Sequence, residues 1–109
     1  MISFDDFKKL EIKIGEIKSA EKVPDTDKLL RLSVDMGEES HRQIISGIAE
    51  YFTDTKELVG KKCAFATNLE SRVIRGLESQ GMVLAVGGSE SHFSLLEVSQ
   101  SVPAGSTVK

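Results

Sequence analysis

The chain has no tryptophan, one tyrosine, one cysteine, two prolines and two histidines in 109 residues, and each shortage removes a class of function. A single thiol, Cys63, rules out an internal disulfide framework and leaves a zinc site without its usual ligands. Its neighbours Ala64 and Phe65 mark it as a core thiol rather than a nucleophile. His41 and His92 are the only side chains whose unperturbed titration falls near neutral pH. His41 follows an acidic turn and His92 stands beside Phe93 at a strand start, where solvated residues are expected. Gly87-Gly88 lacks the Lys and Ser/Thr that complete a phosphate loop. No apolar run approaches the ~20 residues of a membrane span. The stretch Met1 to Lys9 is charged and lacks the apolar core of a signal peptide. The expectation is therefore a cytoplasmic protein that is not an enzyme, uses no cofactor or metal and has no membrane partner.

What is present points to one all-β domain spanning residues 1–109, large enough for one modest core. A first strand is expected from about Leu10 to Val23, where Leu10, Ile12 and Ile14 alternate in one phase and Ile17 takes the other. Gly15 stands at the slip, which predicts a bulge that bends the strand around both sides of a barrel. A side chain there is expected to cost about 1–3 kcal/mol in backbone strain. Pro24-Asp25-Thr26-Asp27 reads as a turn. Leu30, Leu32, Val34 and Met36 then alternate with Arg31, Ser33 and Asp35, the period of two of a half-buried strand. Arg42 to Ile45 gives a third strand. Asp54 with Glu57, closed by Gly60, predicts one short helix between the third and fourth strands. Cys63 to Ala66, Met82 to Val86 and Phe93 to Val98 complete the strands, with Gly87-Gly88-Ser89 as a turn between the last two. Five short strands with that helix placement suggest an OB-fold barrel with a strand-rich C-terminal extension.

The net charge of −3 argues against a nucleic-acid partner, but its distribution is uneven. Charges cancel from Met1 through Arg31, the balance from Leu32 to Glu57 is −4, and from Leu58 to Glu78 it is +2. The positive stretch contains Asn68-Leu69-Glu70-Ser71-Arg72-Val73-Ile74-Arg75-Gly76-Leu77-Glu78-Ser79-Gln80-Gly81-Met82, the most distinctive segment of the chain. Its guanidiniums suit bidentate phosphate contacts, and its amide and hydroxyls suit ribose or base edges. The same residues also describe a solvated connection between two buried strands.

This segment resembles the signature of the tRNA-binding domain family, found at the C-terminus of many methionyl-tRNA synthetases, in stand-alone dimeric tRNA-binding proteins and in endothelial monocyte-activating polypeptide II. The matching residues are Asn68-Leu69, Arg72 and Arg75 with Gly76, and Ser79-Gln80-Gly81-Met82. Further matches run along the chain: Phe4-Asp5-Asp6-Phe7, Ile14-Gly15-Glu16-Ile17, Asp27-Lys28-Leu29-Leu30, Arg42-Gln43-Ile44, Ser46-Gly47-Ile48-Ala49 and Glu57-Leu58-Val59-Gly60-Lys61-Lys62.

The resemblance implies an OB-fold that binds tRNA by shape and backbone, with Lys28, Arg42, Asn68, Arg72, Arg75, Ser79 and Met82 on the RNA face. With no tryptophan and one tyrosine, no base-stacking platform is evident. The resemblance also implies a homodimer that uses the C-terminal extension, where Leu95, Leu96 and Val98 are the expected contact residues, and association with a methionyl-tRNA synthetase. Two departures bear on affinity: many relatives carry Pro at the position of Ser71 and Lys at that of Val73. Losing that lysine, with Glu70 in the same segment, predicts weaker tRNA binding than is usual in the family. The competing reading is a dimerisation or docking module of a synthetase with vestigial RNA binding. A peptide-binding chaperone role, known for relatives with this barrel, is the third.

Overall fold

The structure is a computed structural model that describes residues 1–87 and 92–109. Alternation builds its first three strands: β1 (Ile12–Lys22), β2 (Leu30–Asp35) and β3 (Arg42–Ser46) pair as an antiparallel meander. β4 (Lys62–Ala66) returns along the other edge of β1, giving the order β3-β2-β1-β4-β7, with β7 at Met82–Val83. β1 serves both sides of the barrel because it is long. Ile12 to Glu16 pair with β4, and Glu16 to Lys22 pair with β2.

The bulge of β1 is not at Gly15. The register slips between Ile17 and Ser19, so Lys18 is the extra residue, while Gly15 pairs regularly with Cys63. Gly15 is required for space instead. A Cβ there would lie 2.6 Å from Val34 Cγ1, 2.7 Å from Met36 Sδ and 3.1 Å from Phe65 Cδ1. The phase slip in the sequence has another cause. Gly15 and Ile17 face the barrel interior, whereas Ile14, on the opposite face, is buried outside the main core cluster. There the C-terminal segment runs along the free edge of β1. The Ile14 N–H donates to Ser106 O (2.8 Å), and the Val108 N–H donates to Ile12 O (2.8 Å).

Leu30, Leu32, Val34 and Met36 of the β2 stripe are all buried, and they join Ile17, Ile44, Leu58, Cys63 and Phe65 in one core. Between β3 and β4 the expected single helix is two 3-10 turns, Ala49–Tyr51 and Thr55–Leu58. Asp54 does cap the second, accepting from the Lys56 N–H at 2.9 Å. Gly60 ends it with φ +92°, leaving too few residues for α-helical hydrogen bonds to repeat. Leu58 anchors this turn in the core, and the Tyr51 ring stacks on Phe93 at 4.1 Å.

A further helix, α1 (Phe4–Phe7), was not anticipated; it is started by a capping box in which Ser3 accepts from the Asp6 N–H. The extension beyond β7 contains β8 (Ala85–Val86) and β9 (Ser94–Leu95), then single bridges from Glu97 to Cys63 and Thr107 to Lys13. Of the predicted Gly87-Gly88-Ser89 turn, Gly88 and Ser89 lie outside the described residues. Leu95, expected at a dimer contact, is instead buried in the chain's own core, while Leu96 is exposed and Val98 half-buried.

Candidate nucleic-acid interface

The segment expected as an irregular loop is a β-ribbon. β5 (Arg72–Ile74) and β6 (Leu77–Ser79) pair Arg72 with Ser79, Val73 with Glu78 and Ile74 with Leu77. Only Arg75 and Gly76 lie between the last pair, at φ 53° and 78°. A two-residue hairpin with both φ positive matches the right-handed twist of its strands. Glycine takes that backbone freely, but arginine does so rarely.

The ribbon is sewn to the barrel along β3. The Ser79 hydroxyl, 4% exposed, accepts the Ile45 N–H at 2.9 Å and donates to Gly81 O at 3.0 Å. The Gln80 side-chain oxygen accepts the Gln43 N–H at 2.9 Å, and the Gln80 N–H donates back to Gln43 O at 2.8 Å. The Gln43 amide donates to Glu78 O at 2.9 Å. Side-chain oxygens thus stand in for the carbonyls of a missing strand, and they close the barrel. A side chain on Gly81, at φ +154°, would place its Cβ 2.9 Å from Ala66 O, too close for any residue but glycine.

Asn68 performs a similar task at the other foot of the segment. Its side chain accepts the Glu11 N–H and donates to Lys9 O, both at 2.7 Å. Arg42 is also heavily engaged. It meets Glu38 through Nε (2.9 Å) and Nη2 (2.8 Å), and Nη1 donates to Thr67 O (2.6 Å) and Gln80 O (3.0 Å). The hydrogen bonds between the two side chains lower the Glu38 pKa and raise that of Arg42.

Lys28, Arg72 and Arg75 differ from these. All three are exposed, and none enters an ion pair or side-chain hydrogen bond among the described residues. Lys28 and Arg75 line one cleft of about 440 Å³ with Asp25, Asp27 and Ile74. Arg72, Ser79 and Met82 line a second, small cleft with Leu69 and Glu70. Met82 is exposed at the start of β7. Val73 is 73% exposed on β5, so the position where relatives carry lysine faces solvent.

Cys63 is fully buried, and desolvation pushes its thiol up to about 11. Among the described residues no group of three His, Cys, Asp or Glu side chains could hold a metal, and no helix is long and apolar enough to cross a membrane.

A family model described as a putative tRNA binding domain matches residues 12–107. The chain belongs to the tRNA-binding domain family. Among curated proteins it is 42% identical over 107 residues to the methionine–tRNA ligase of Enterococcus faecalis, covering 98% of this chain but 16% of that protein. The chain thus spans about one sixth of the length of the ligases it matches. Among solved structures, the MetRS related protein from Pyrococcus horikoshii is 38% identical with a TM-score of 0.91, covering 100% of this chain and 98% of the other. The chaperone CsaA of Bacillus anthracis is 26% identical with a TM-score of 0.86, covering 100% and 99%. The tRNA-binding domain therefore has the OB-type barrel that its strand pattern suggested. The dominant signal missed in the sequence is the ribbon turn, carried by Arg75-Gly76 between two short apolar-containing runs.

Proposed function

We propose that this tRNA-binding domain is non-catalytic and grips tRNA by its phosphate backbone, with the β5–β6 ribbon as the contact element. The observation that carries this is the exposure of Lys28, Arg72 and Arg75 without ion-pair partners among the described residues, against the extensive pairing of Arg42. Unpaired guanidinium and ammonium groups are free to replace counterions on a phosphate chain. Met82 and the outward-facing Val73 add apolar surface beside them. Asn68 and Ser79 serve the same face indirectly, since their polar atoms hold the segment's two ends. The buried, protonated Cys63 is unsuited to nucleophilic chemistry. Similarity to methionine–tRNA ligases favours a role beside a methionyl-tRNA synthetase in the cytoplasm.

A second copy of the chain is the proposed protein partner. Phe4, Phe7, Leu10 and Val108 expose apolar surface around one cleft of about 440 Å³. Asp5 and Lys8 lie on and just after α1, close to this surface in sequence. Light scattering is expected to give twice the chain mass, and Phe4→Glu to give the monomer; a monomeric parent at micromolar concentration refutes it.

The central test is an electrophoretic shift with total tRNA, challenged by duplex DNA. Retardation that survives the DNA is expected. Absence of a shift refutes RNA binding and favours the docking-module reading.

A further inference from the structure

We propose that Arg42 is a positioning residue: with Glu38 it braces the two feet of the RNA-binding ribbon, and it does not itself bind phosphate. The proposal rests on the reading of the ribbon as the RNA contact, and it reverses the role that the family resemblance suggests for this arginine.

A guanidinium has five N–H donors. Four of Arg42's are engaged by protein oxygens, at 2.6 to 3.0 Å. The positions of the acceptors explain the purpose. Thr67 lies five residues before Arg72, where the ribbon begins, and Gln80 directly follows Ser79, where it ends. A single Nη1 therefore ties the segment's entry to its exit. The other edge of the same rigid plane is fixed by the Glu38 carboxylate, which comes from the turn between β2 and β3. Three chain regions are thereby held to one planar group, and the ribbon leaves the barrel from a base of set width.

Electrostatics points the same way. The arginine charge is already matched by Glu38 at 2.8 Å, and Glu39 is the next residue in the same turn. A phosphate approaching Arg42 meets a carboxylate and finds one remaining N–H. Binding at the Nε–Nη2 edge would displace the Glu38 carboxylate, and binding through Nη1 would release the carbonyl of Thr67 or Gln80. The compact ammonium of lysine cannot span both carbonyls and the carboxylate, so charge alone does not substitute for the fork.

The test uses the full chain with tRNA and amide hydrogen exchange. In Arg42→Ala, tRNA affinity is expected to fall several-fold while the salt dependence keeps the parent's slope, because no phosphate contact has been removed. Exchange should quicken for amides of residues 72–79, while the Leu32 and Ile44 amides stay protected. Arg42→Lys is expected to behave like Arg42→Ala. Glu38→Gln, which preserves shape and serves if Arg42→Ala fails to fold, is expected to bind tRNA no more tightly than the parent. Three results overturn the proposal: a slope smaller by about one in Arg42→Ala, full affinity in Arg42→Lys, or tighter binding with a steeper slope in Glu38→Gln. If the parent binds no tRNA, the RNA reading has failed on its own account. The exchange measurement then decides the brace, and unchanged exchange in 72–79 rejects it.

Discussion

Ser79→Ala separates a residue that holds the barrel from one that touches RNA. The change removes one oxygen that is 4% exposed. It leaves the Ile45 N–H without its acceptor and the Gly81 carbonyl without its donor. A buried donor left unpaired costs about 1–3 kcal/mol, and the second lost bond adds about 0.5–1.5 kcal/mol. A loss of about 2–3 kcal/mol is a large part of the ~5–15 kcal/mol that stabilises a domain. For a chain of this size it lowers Tm by on the order of 10 °C. Urea unfolding should show a lower midpoint with an unchanged m-value, since the surface exposed on unfolding is the same. The Ile45 amide should lose protection first. A Tm within a degree or two of the parent, together with weakened tRNA binding, refutes the reasoning and places the hydroxyl on the RNA.

Arg75→Asn should keep or slightly raise Tm, because asparagine tolerates the positive φ of the ribbon tip. It should also reduce the slope of log affinity against log salt by about one, from about −2 to −3 for three phosphate contacts; an unchanged slope removes Arg75 from the RNA face. Val73→Lys, at an outward position opposite Glu78, should tighten binding and steepen the slope, which the same titration reads. Gly15→Val should cost about 1–3 kcal/mol through overpacking against Val34, Met36 and Phe65, and an unchanged melting temperature excludes the crowding. Cys63, buried and raised to about 11, should resist a thiol reagent at pH 8 in the native chain and react once it is unfolded; fast native labelling contradicts the burial.

Strands with one covered face were plain in the sequence. The β2 stripe of Leu30, Leu32, Val34 and Met36 is buried as its alternation demanded. The ribbon strands were not legible, because runs of three residues are too short for an alternating pattern to show. α1 was hidden for a related reason. Phe4 and Phe7 are exposed, so no core face imposed a helical period. At Gly15, two buried faces at the start of β1 imitated the phase slip of a bulge. The cations proposed for the RNA face could be picked out by residue type, but the hydrogen-bonding tasks of the polar residues beside them could not. Asn68, Ser79 and Gln80 find partners 57, 34 and 37 residues away. A side chain suited to ribose or base edges is equally suited to a peptide group.

The sewing of β3 to Ser79 and Gln80 has a consequence for the chain's life at high concentration. The N–H groups of Gln43 and Ile45 would otherwise form an open strand edge, the template on which another chain adds itself. Here that edge is occupied by a hydroxyl and a carboxamide, neither of which offers a continuing ladder. The two side chains thus act as a guard against edge-to-edge clustering: replacing both with alanine would leave the Gln43 and Ile45 N–H groups open to another chain.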